Sequence, residues 1–352
     1  MPVKLDSVPQ ALAHGFDALI DVRAPAEFAE DHIPGAVNLP VLDDAERARV
    51  GTIYTQESPF LARRIGAGLV ARNAARHLDG FLADKGPRFR PLVYCWRGGQ
   101  RSGSFATILR QVGWQVETVE GGYRSWRRLV KAALYDAPFP APLVLLDGNT
   151  GTAKTQILAT VGSQGVQVID LEGLARHRGS LFGGVPGGQP AQKGFETALA
   201  AQIAALDPAR PVLVEAESSK VGEVNLPPML WRAMRTAPRI EITAPLGARA
   251  RYLAAAYGDI AADRALLARV IAQLRPYHPA DRIAEWQGLA AAGETETLAA
   301  GLMTHHYDPR YAKARARDAG MTLARVAAGR LDAAALEEIA AAVAGHLHDP
   351  TA

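Results

Sequence analysis

Two short stretches of this 352-residue chain carry side chains whose types and spacing can do chemistry. The first is Tyr94-Cys95-Trp96-Arg97-Gly98-Gly99-Gln100-Arg101-Ser102, which holds the chain's single cysteine. It follows the apolar run Pro91–Tyr94, so the spacing predicts a buried strand that delivers a thiol into a glycine-rich, arginine-bearing loop. Gly98 and Gly99 let successive backbone N–H groups turn inward without a Cβ clash. Those donors, with Arg97 or Arg101 beside them, stabilise a thiolate and lower its pKa. A lone cysteine is most often a core filler. The strand end and the flanking Arg-Gly-Gly-Gln-Arg argue for a reactive nucleophile in an anion cradle formed by Trp96, Arg97, Gly98, Gly99, Gln100 and Arg101.

The second stretch, Gly148-Asn149-Thr150-Gly151-Thr152-Ala153-Lys154-Thr155, follows the apolar run Leu143–Asp147. It nearly fits the phosphate-loop pattern G-x-x-x-x-G-K-[ST] in the required strand-to-helix context. Gly148, Thr150, Gly151, Lys154 and Thr155 are the expected pyrophosphate-binding residues, Lys154 as a point charge and the following helix N-terminus adding its dipole. Ala153 departs from the pattern, which wants glycine there, and alanine tolerates unusual backbone angles less well. A conventional nucleotide hydrolase also needs an acid at the end of a second strand to hold magnesium. Glu215 and Glu217, after Val212–Val214, are candidates. The residues leave open whether the loop serves a nucleotide or a pyrophosphate that is not hydrolysed.

The elements that must position these loops alternate strand and helix. Ala18–Val22 reads as a strand, Pro25–Phe28 starts a helix, and a long arginine-bearing helical region covers about Phe60 to Leu82. After the Cys95 strand come a helix from about Ser102 to Val112, a short strand at Gln115–Val119, and a helix opened by Gly121-Gly122. The prolines of 136–142 mark a linker. Further strands are expected at Val166–Leu171, Val212–Val214 and Ile240–Thr243, and an alanine-rich, mostly helical region from Leu246, with a last turn-rich segment at His305–Tyr311. The reading is an N-terminal α/β domain over 1–135, the linker, and a P-loop α/β domain with a helical C-terminal part over 143–352, each with a largely parallel sheet.

Hydrophobic residues at 48% and charged residues at 21% describe an ordinary globular protein. No apolar run approaches the ~20 residues of a membrane span, and the N-terminus lacks a signal peptide's apolar core, so a cytoplasmic location is expected. One cysteine excludes an internal disulfide and a Cys-based zinc site. Net charge is +3 with a pI of about 9.0. Arg124, Arg127, Arg128 and Lys131 have helical spacing and predict one basic face; Arg63, Arg64, Arg72 and Arg76 form another.

Ile20-Asp21-Val22-Arg23, Glu27-Phe28, His32–Pro40 and the Cys95 loop together resemble a rhodanese domain. Val41–Arg47, Val50–Tyr54, Ala71-Arg72-Asn73, Glu120–Arg124, Asp170–Ala175, His177–Ser180 and His306–Tyr311 are similar to motifs of the bacterial tRNA 2-selenouridine synthase family. The resemblance covers essentially the whole chain. It implies a transferase acting on wobble 2-thiouridine of tRNA, first alkylating the sulfur with geranyl diphosphate and then using selenophosphate to displace the geranylated thiol. Cys95 matches that family's essential cysteine, proposed to carry selenium. Geranyl diphosphate and selenophosphate are then co-substrates, tRNA is the partner through its anticodon arm, and no tightly bound cofactor, metal or membrane is expected.

His177, Arg178 and Ser180 lie in a glycine-rich loop that would contact phosphate or RNA, as would Arg124, Arg127 and Arg128. Trp96 either stacks on a base or packs beneath the loop. His305, His306 and Asp308 are not read as a metal site, because adjacent histidines usually point apart. Asp21 and Arg23 are expected to hold the scaffold. Two other classes compete: a small-molecule sulfurtransferase or C-x5-R phosphatase fused to a P-loop kinase, and an RNA-binding adaptor without chemistry. Intact Cys95, Arg101 and Lys154 argue against the adaptor.

Overall fold

The computed structural model describes residues 2–316 and 321–348. The chain forms two compact units, 1–137 with 190–205, and 138–189 with 206–352.

The first unit is built on a parallel sheet in the order β2-β1-β3-β4, with β1 at Ala18–Asp21, β2 at Ala36–Asn38, β3 at Pro91–Tyr94 and β4 at Glu117–Thr118. Register places Ile20 beside both Val37 and Val93, so the apolar residues of the two central strands line up. Ile20, Val93, Phe105 and Leu109 are fully buried between this sheet and its helices. The arginine-bearing region is two helices, Asp44–Gln56 and Pro59–Asp79. The break between them is fixed by chemistry at 58–59: Ser58 caps the second helix by accepting from Leu61 N–H, and Pro59 occupies its first turn. The loop after β3 passes directly into the helix Gln100–Val112, and the Gly121-Gly122 turn into the helix Tyr123–Lys131. A π-helical turn, Ala132–Asp136, extends that helix to the start of the proline-rich segment.

The helix Gln192–Ala204, which the sequence reading assigned to the second domain, packs in the first unit. Its buried face is Phe195, Leu199, Ala200 and Ile203, and its polar residues meet partners far away in sequence. Thr197 accepts from the Trp126 indole at 3.3 Å and donates to buried Asp31 at 3.0 Å, and Glu196 accepts from Arg127, Gln192 and Tyr135. Apart from Gln192–Glu196, an i,i+4 pair within the helix, none of these pairings leaves a local signal.

The second unit carries a five-stranded sheet in the order β11-β10-β5-β7-β6: β5 Leu143–Gly148, β6 Gln167–Ile169, β7 Val212–Glu215, β10 Arg239–Thr243 and β11 Thr322–Ala327, all parallel, with a small antiparallel hairpin of β8 Lys220–Val221 and β9 Val224–Asn225 beside them. β5 is central and buried along its whole length. Helices Lys154–Ser163 and Ala333–His348 contribute Ile157, Val161, Ala340 and Val343 to its core. A second apolar cluster around Ile271, Leu274 and Trp286 holds the helical part together. Two features differ from the sequence expectation. β11 is a partly exposed edge strand within a region read as helical, and His305–Tyr311 is helical rather than turn-rich, with a π-helical turn at Met303–Tyr307.

Candidate functional site

Cys95 stands at the C-terminal end of β3, 3% exposed, at the floor of the loop it begins. The Ser102 hydroxyl donates to Cys95 Sγ at 3.2 Å from the first turn of the following helix. Burial by itself raises the thiol's pKa, but the Ser102 hydroxyl and N–H, the Arg101 charge and the Arg97 N–H outweigh it. The pKa therefore lies below the ordinary 9.0, and the thiolate is favoured. Ser102 was not assigned a role from sequence; its spacing of seven residues from Cys95 becomes contact only because the loop folds straight into a helix.

Arg101 is committed elsewhere than the sequence suggested. Its guanidinium forms an ion pair with Glu27 at 2.7 Å, and Glu27 also caps Ala24 N–H. Burial would raise the Glu27 pKa, but Arg101 and the Ala24 N–H hold it below the ordinary carboxylate value. Arg97, Gly98, Gly99 and Gln100 are exposed along the rim. Trp96 is half-buried against Tyr123, with ring centroids 5.2 Å apart, so packing explains its inner face.

The cradle is closed from behind by the Gly121-Gly122 turn. Gly122 has φ +60°, and a Cβ there would collide with the Cys95 carbonyl; Gly98 has φ +68°, and its Cβ would lie 2.7 Å from the Val119 carbonyl. The N–H groups of Tyr123 and Arg124 donate to the carbonyls of Cys95 and Trp96 at 2.8 and 3.1 Å. Asp21 and Arg23 are scaffold, as expected: their fully buried pair is 2.6 Å apart, and the Arg23 guanidinium sits 4.0 Å over the Tyr123 ring.

The predicted basic face is divided by the structure. Arg124, Arg128 and Lys131 are exposed at i, i+4 and i+7 of one helix. Arg127 is not part of that surface: it turns inward to form an ion pair with buried Glu196, only 18% of its side chain exposed. Arg63, Arg64, Arg72 and Arg76 are all exposed on the helix Pro59–Asp79.

In the second unit, β5 runs into the phosphate loop, and Lys154 opens the following helix. Lys154 Nζ donates to the Gly148 carbonyl at 2.9 Å and lies 5.4 Å from the centre of the Tyr311 ring. Burial would lower its pKa; Tyr311, Glu217, Glu172 and Asp147 outweigh that and raise it, keeping the ammonium charged. Ala153 has φ 60° and ψ 27°, the left-handed conformation for which the pattern wants glycine. The loop thus keeps the expected path, and alanine bears the strain.

Residues from distant parts of the chain complete a cleft of ≈ 460 Å³ over this loop. Asp308 holds Arg249 at 2.8 and 3.0 Å, and Arg249 in turn donates to the Thr150 carbonyl at 3.1 Å, so the His306–Tyr311 motif props the loop from behind while Arg310 and Tyr311 line the cleft. Thr155 Oγ1 donates to Glu172 at 2.7 Å. Of the two acids proposed from sequence, Glu215 is fully buried and accepts from the Glu172 N–H, and burial pushes its pKa well above the ordinary carboxylate value. Glu217 lines the cleft beside Glu172; burial and the Glu172 charge, against the pull of Lys154, push its pKa up to about 8.

Arg178 and Ser180 also line the cleft, whereas His177 does not. Arg178 pairs with Asp259 at 2.9 Å, and the Ser180 hydroxyl meets Tyr257 OH at 3.2 Å. His305 is exposed and His306 buried, bonded to His278 at 2.9 Å, and Asp308 is taken by Arg249, so these residues do not converge. Among the described residues no cluster of three His, Cys, Asp or Glu forms a metal site.

Fold and sites define the class: a rhodanese-type module joined to a P-loop module. Residues 5–129 match the rhodanese-like domain, and residues 141–271 match the tRNA 2-selenouridine synthase AAA domain. Both modules of the chain are similar to tRNA 2-selenouridine synthases. It is 38% identical to the tRNA 2-selenouridine synthase of Nitrosomonas europaea, over 66% of this chain and 61% of that protein. Those of Chromohalobacter salexigens and Alcanivorax borkumensis are 38% and 39% identical, over 68% and 66% of this chain and 65% and 64% of theirs. In these matches the chain spans a little under two thirds of its relatives' length.

Proposed function

We propose that this protein converts wobble 2-thiouridine in tRNA to 2-selenouridine in two stages, alkylating the sulfur with geranyl diphosphate and then replacing it with selenium from selenophosphate. The observation that carries this reading is that one chain holds both a hydrogen-bonded, thiolate-favouring Cys95 and a phosphate-loop cleft with a charged Lys154. In the first stage the thiocarbonyl sulfur attacks C1 of the geranyl group, the C1–O bond breaks, and pyrophosphate leaves with the electron pair. Lys154 and the Gly148–Thr155 amides stabilise that departing charge. In the second stage S-alkylation has made the sulfur a leaving group, so a selenium nucleophile at the ring carbon expels geranyl thiol. The Cys95 thiolate supplies that nucleophile by attacking the phosphorus of selenophosphate: the S–P bond forms, the P–Se bond breaks with its electron pair on selenium, and water later releases phosphate from Cys95, while the exposed N–H groups of the loop donate to the phosphate.

The exposed stripe of Arg124, Arg128 and Lys131 supports binding of the tRNA phosphate backbone. Geranyl diphosphate and selenophosphate act as co-substrates without a tightly bound cofactor. Among the described residues no helix is long and apolar enough to cross a membrane. Nucleoside mass spectrometry tests the reading: 2-thiouridine tRNA incubated with the protein and geranyl diphosphate should gain the geranyl mass, and added selenophosphate should convert it to 2-selenouridine. Unchanged 2-thiouridine with both co-substrates present would refute it.

A further inference from the structure

The phosphate-loop cleft opens onto a second cavity of opposite character. The two share Thr150, Ser180, Leu253, Tyr257 and Tyr307, and the second is walled otherwise almost entirely by carbon. Its unshared walls include Phe182, Ile260, Leu267, Leu298 and Leu302, each less than 9% exposed, drawn from the glycine-rich loop and three separate helices. A charged cleft joined to a dry apolar chamber fits a ligand with a diphosphate head and a hydrocarbon tail. At the junction the Ser180 and Tyr257 hydroxyls hydrogen-bond to each other at 3.2 Å, which lets a carbon chain pass without stranding either.

We propose that this chamber binds the tail of the prenyl diphosphate and that Leu267, Leu298 and Leu302 set the tail's length. The inference rests on geranyl diphosphate being the alkyl donor. The chamber measures ≈ 70 Å³. A cavity of about 150 Å³ holds benzene, so this one has space for about three heavy atoms. The branched end of the distal isoprene unit, a carbon with two methyl groups, fills the chamber while the rest of the ten-carbon tail lies in the cleft towards the diphosphate. A fifteen-carbon tail carries a further unit for which Leu298 and Leu302 leave no space. Phe182 and Tyr307 line the chamber, while Leu181 and His306, their neighbours on the loop and the π-helical turn, line the cleft.

The test is equilibrium binding to the full chain without tRNA, by calorimetry, using inorganic pyrophosphate, dimethylallyl diphosphate, geranyl diphosphate and farnesyl diphosphate. Burial of the branched end should make geranyl diphosphate roughly 100-fold tighter than pyrophosphate, with dimethylallyl diphosphate between them and farnesyl diphosphate weaker than geranyl. Leu298→Trp should remove at least about tenfold of the geranyl advantage, and its pyrophosphate affinity reports whether the site is still folded. Leu298→Ala should bring farnesyl diphosphate up to the geranyl affinity. Equal binding of pyrophosphate and geranyl diphosphate would overturn the proposal, as would a tail advantage untouched by either substitution. These outcomes are read without tRNA, so they separate from failure of the two-stage reaction: a tail advantage without geranylated tRNA refutes that chemistry alone, and geranylated tRNA without a tail advantage refutes the chamber alone.

Discussion

Around Cys95 the loop's contacts are made before any ligand arrives. The Gly122 turn presses on the Cys95 carbonyl, helix N–H groups hold the carbonyls of Cys95 and Trp96, and Arg101 is paired with Glu27. Around Lys154 the groups that would meet an anion are instead occupied by internal partners: the ammonium by the Gly148 carbonyl, and Thr155 by Glu172. The first site is a small rigid socket suited to holding one atom in one protonation state. The second is an open cleft whose hydrogen bonds must be exchanged for those of a ligand. An attacking thiolate needs the former, and stabilisation of a leaving group that comes and goes needs the latter.

The sharpest way to break this contrast is Cys95→Ser. Selenation should fall to background, because an alcohol is far less acidic and cannot attack the selenium donor in the same way. Geranylation should stay within about twofold, since the tRNA sulfur is its own nucleophile in that step; nucleoside mass spectrometry reads both products. Full selenation would remove the thiol from the mechanism. Ser102→Ala sharpens the same point: with the hydroxyl donor gone the thiol's pKa rises, so the pH–rate profile for alkylation by iodoacetamide should move to higher pH and the rate at neutral pH should drop.

Lys154→Ala attacks the other site. Geranylation should fall by about 100-fold, whereas selenation of tRNA that already carries the geranyl group should suffer much less. Supplying each intermediate separately tests the ordering, and equal losses in both assays would point to a shared defect in folding or tRNA binding.

Arg127→Ala should act on stability, not on either site's chemistry. Removing it leaves the buried Glu196 carboxylate without its countercharge, at a cost of about 3 kcal/mol, visible as a lowered thermal midpoint. Arg124→Ala with Arg128→Ala should do the opposite, weakening tRNA binding and flattening its salt dependence with little change in melting. Reversal of those two outcomes would place the RNA surface elsewhere, with Arg63, Arg64, Arg72 and Arg76 next to test.

The smallest effect is expected for Ala153→Gly. Relief of the left-handed backbone is worth about 1–2 kcal/mol, and loss of one buried methyl costs about 0.8 kcal/mol. Thermal stability should therefore rise by about 1 kcal/mol or less, with pyrophosphate affinity held.

Both loops were legible in sequence because each is an apolar run ending in glycines beside one functional side chain, all within a dozen residues. The main strands of both sheets in the first 250 residues followed from the same local patterns, whereas the Lys220–Asn225 hairpin and the separate helix Asp44–Gln56 did not. What was not legible depends on contacts across the chain. Arg249 supports the phosphate loop at Thr150 from 99 residues away, and its orientation is fixed by Asp308. Arg127 looked like a member of a solvated stripe, since nothing nearby signals that Glu196 waits for it. β11 was read as helix because an edge strand, half in water, lacks the continuous apolar run that marked β5 and β7. The apolar chamber beside the phosphate loop is assembled from loops and four helices, each of which alone reads as ordinary core.

The placement of the helix Gln192–Ala204 in the first unit has a consequence for how the protein is made. The chain enters the second unit at Pro138, returns to the first at Pro190, and leaves it again after Ala205. On the ribosome, Asp31 waits 166 residues for Thr197, and Trp126 and Arg127 must wait for about 70 further residues before Thr197 and Glu196 exist. At roughly 5–20 residues per second that is a delay of about 3–14 s, during which an indole, a carboxylate and a guanidinium that end up buried are still open to water and to chaperones. The two units are thus coupled in time during synthesis: the first cannot finish folding until the first two strands of the second have been laid down.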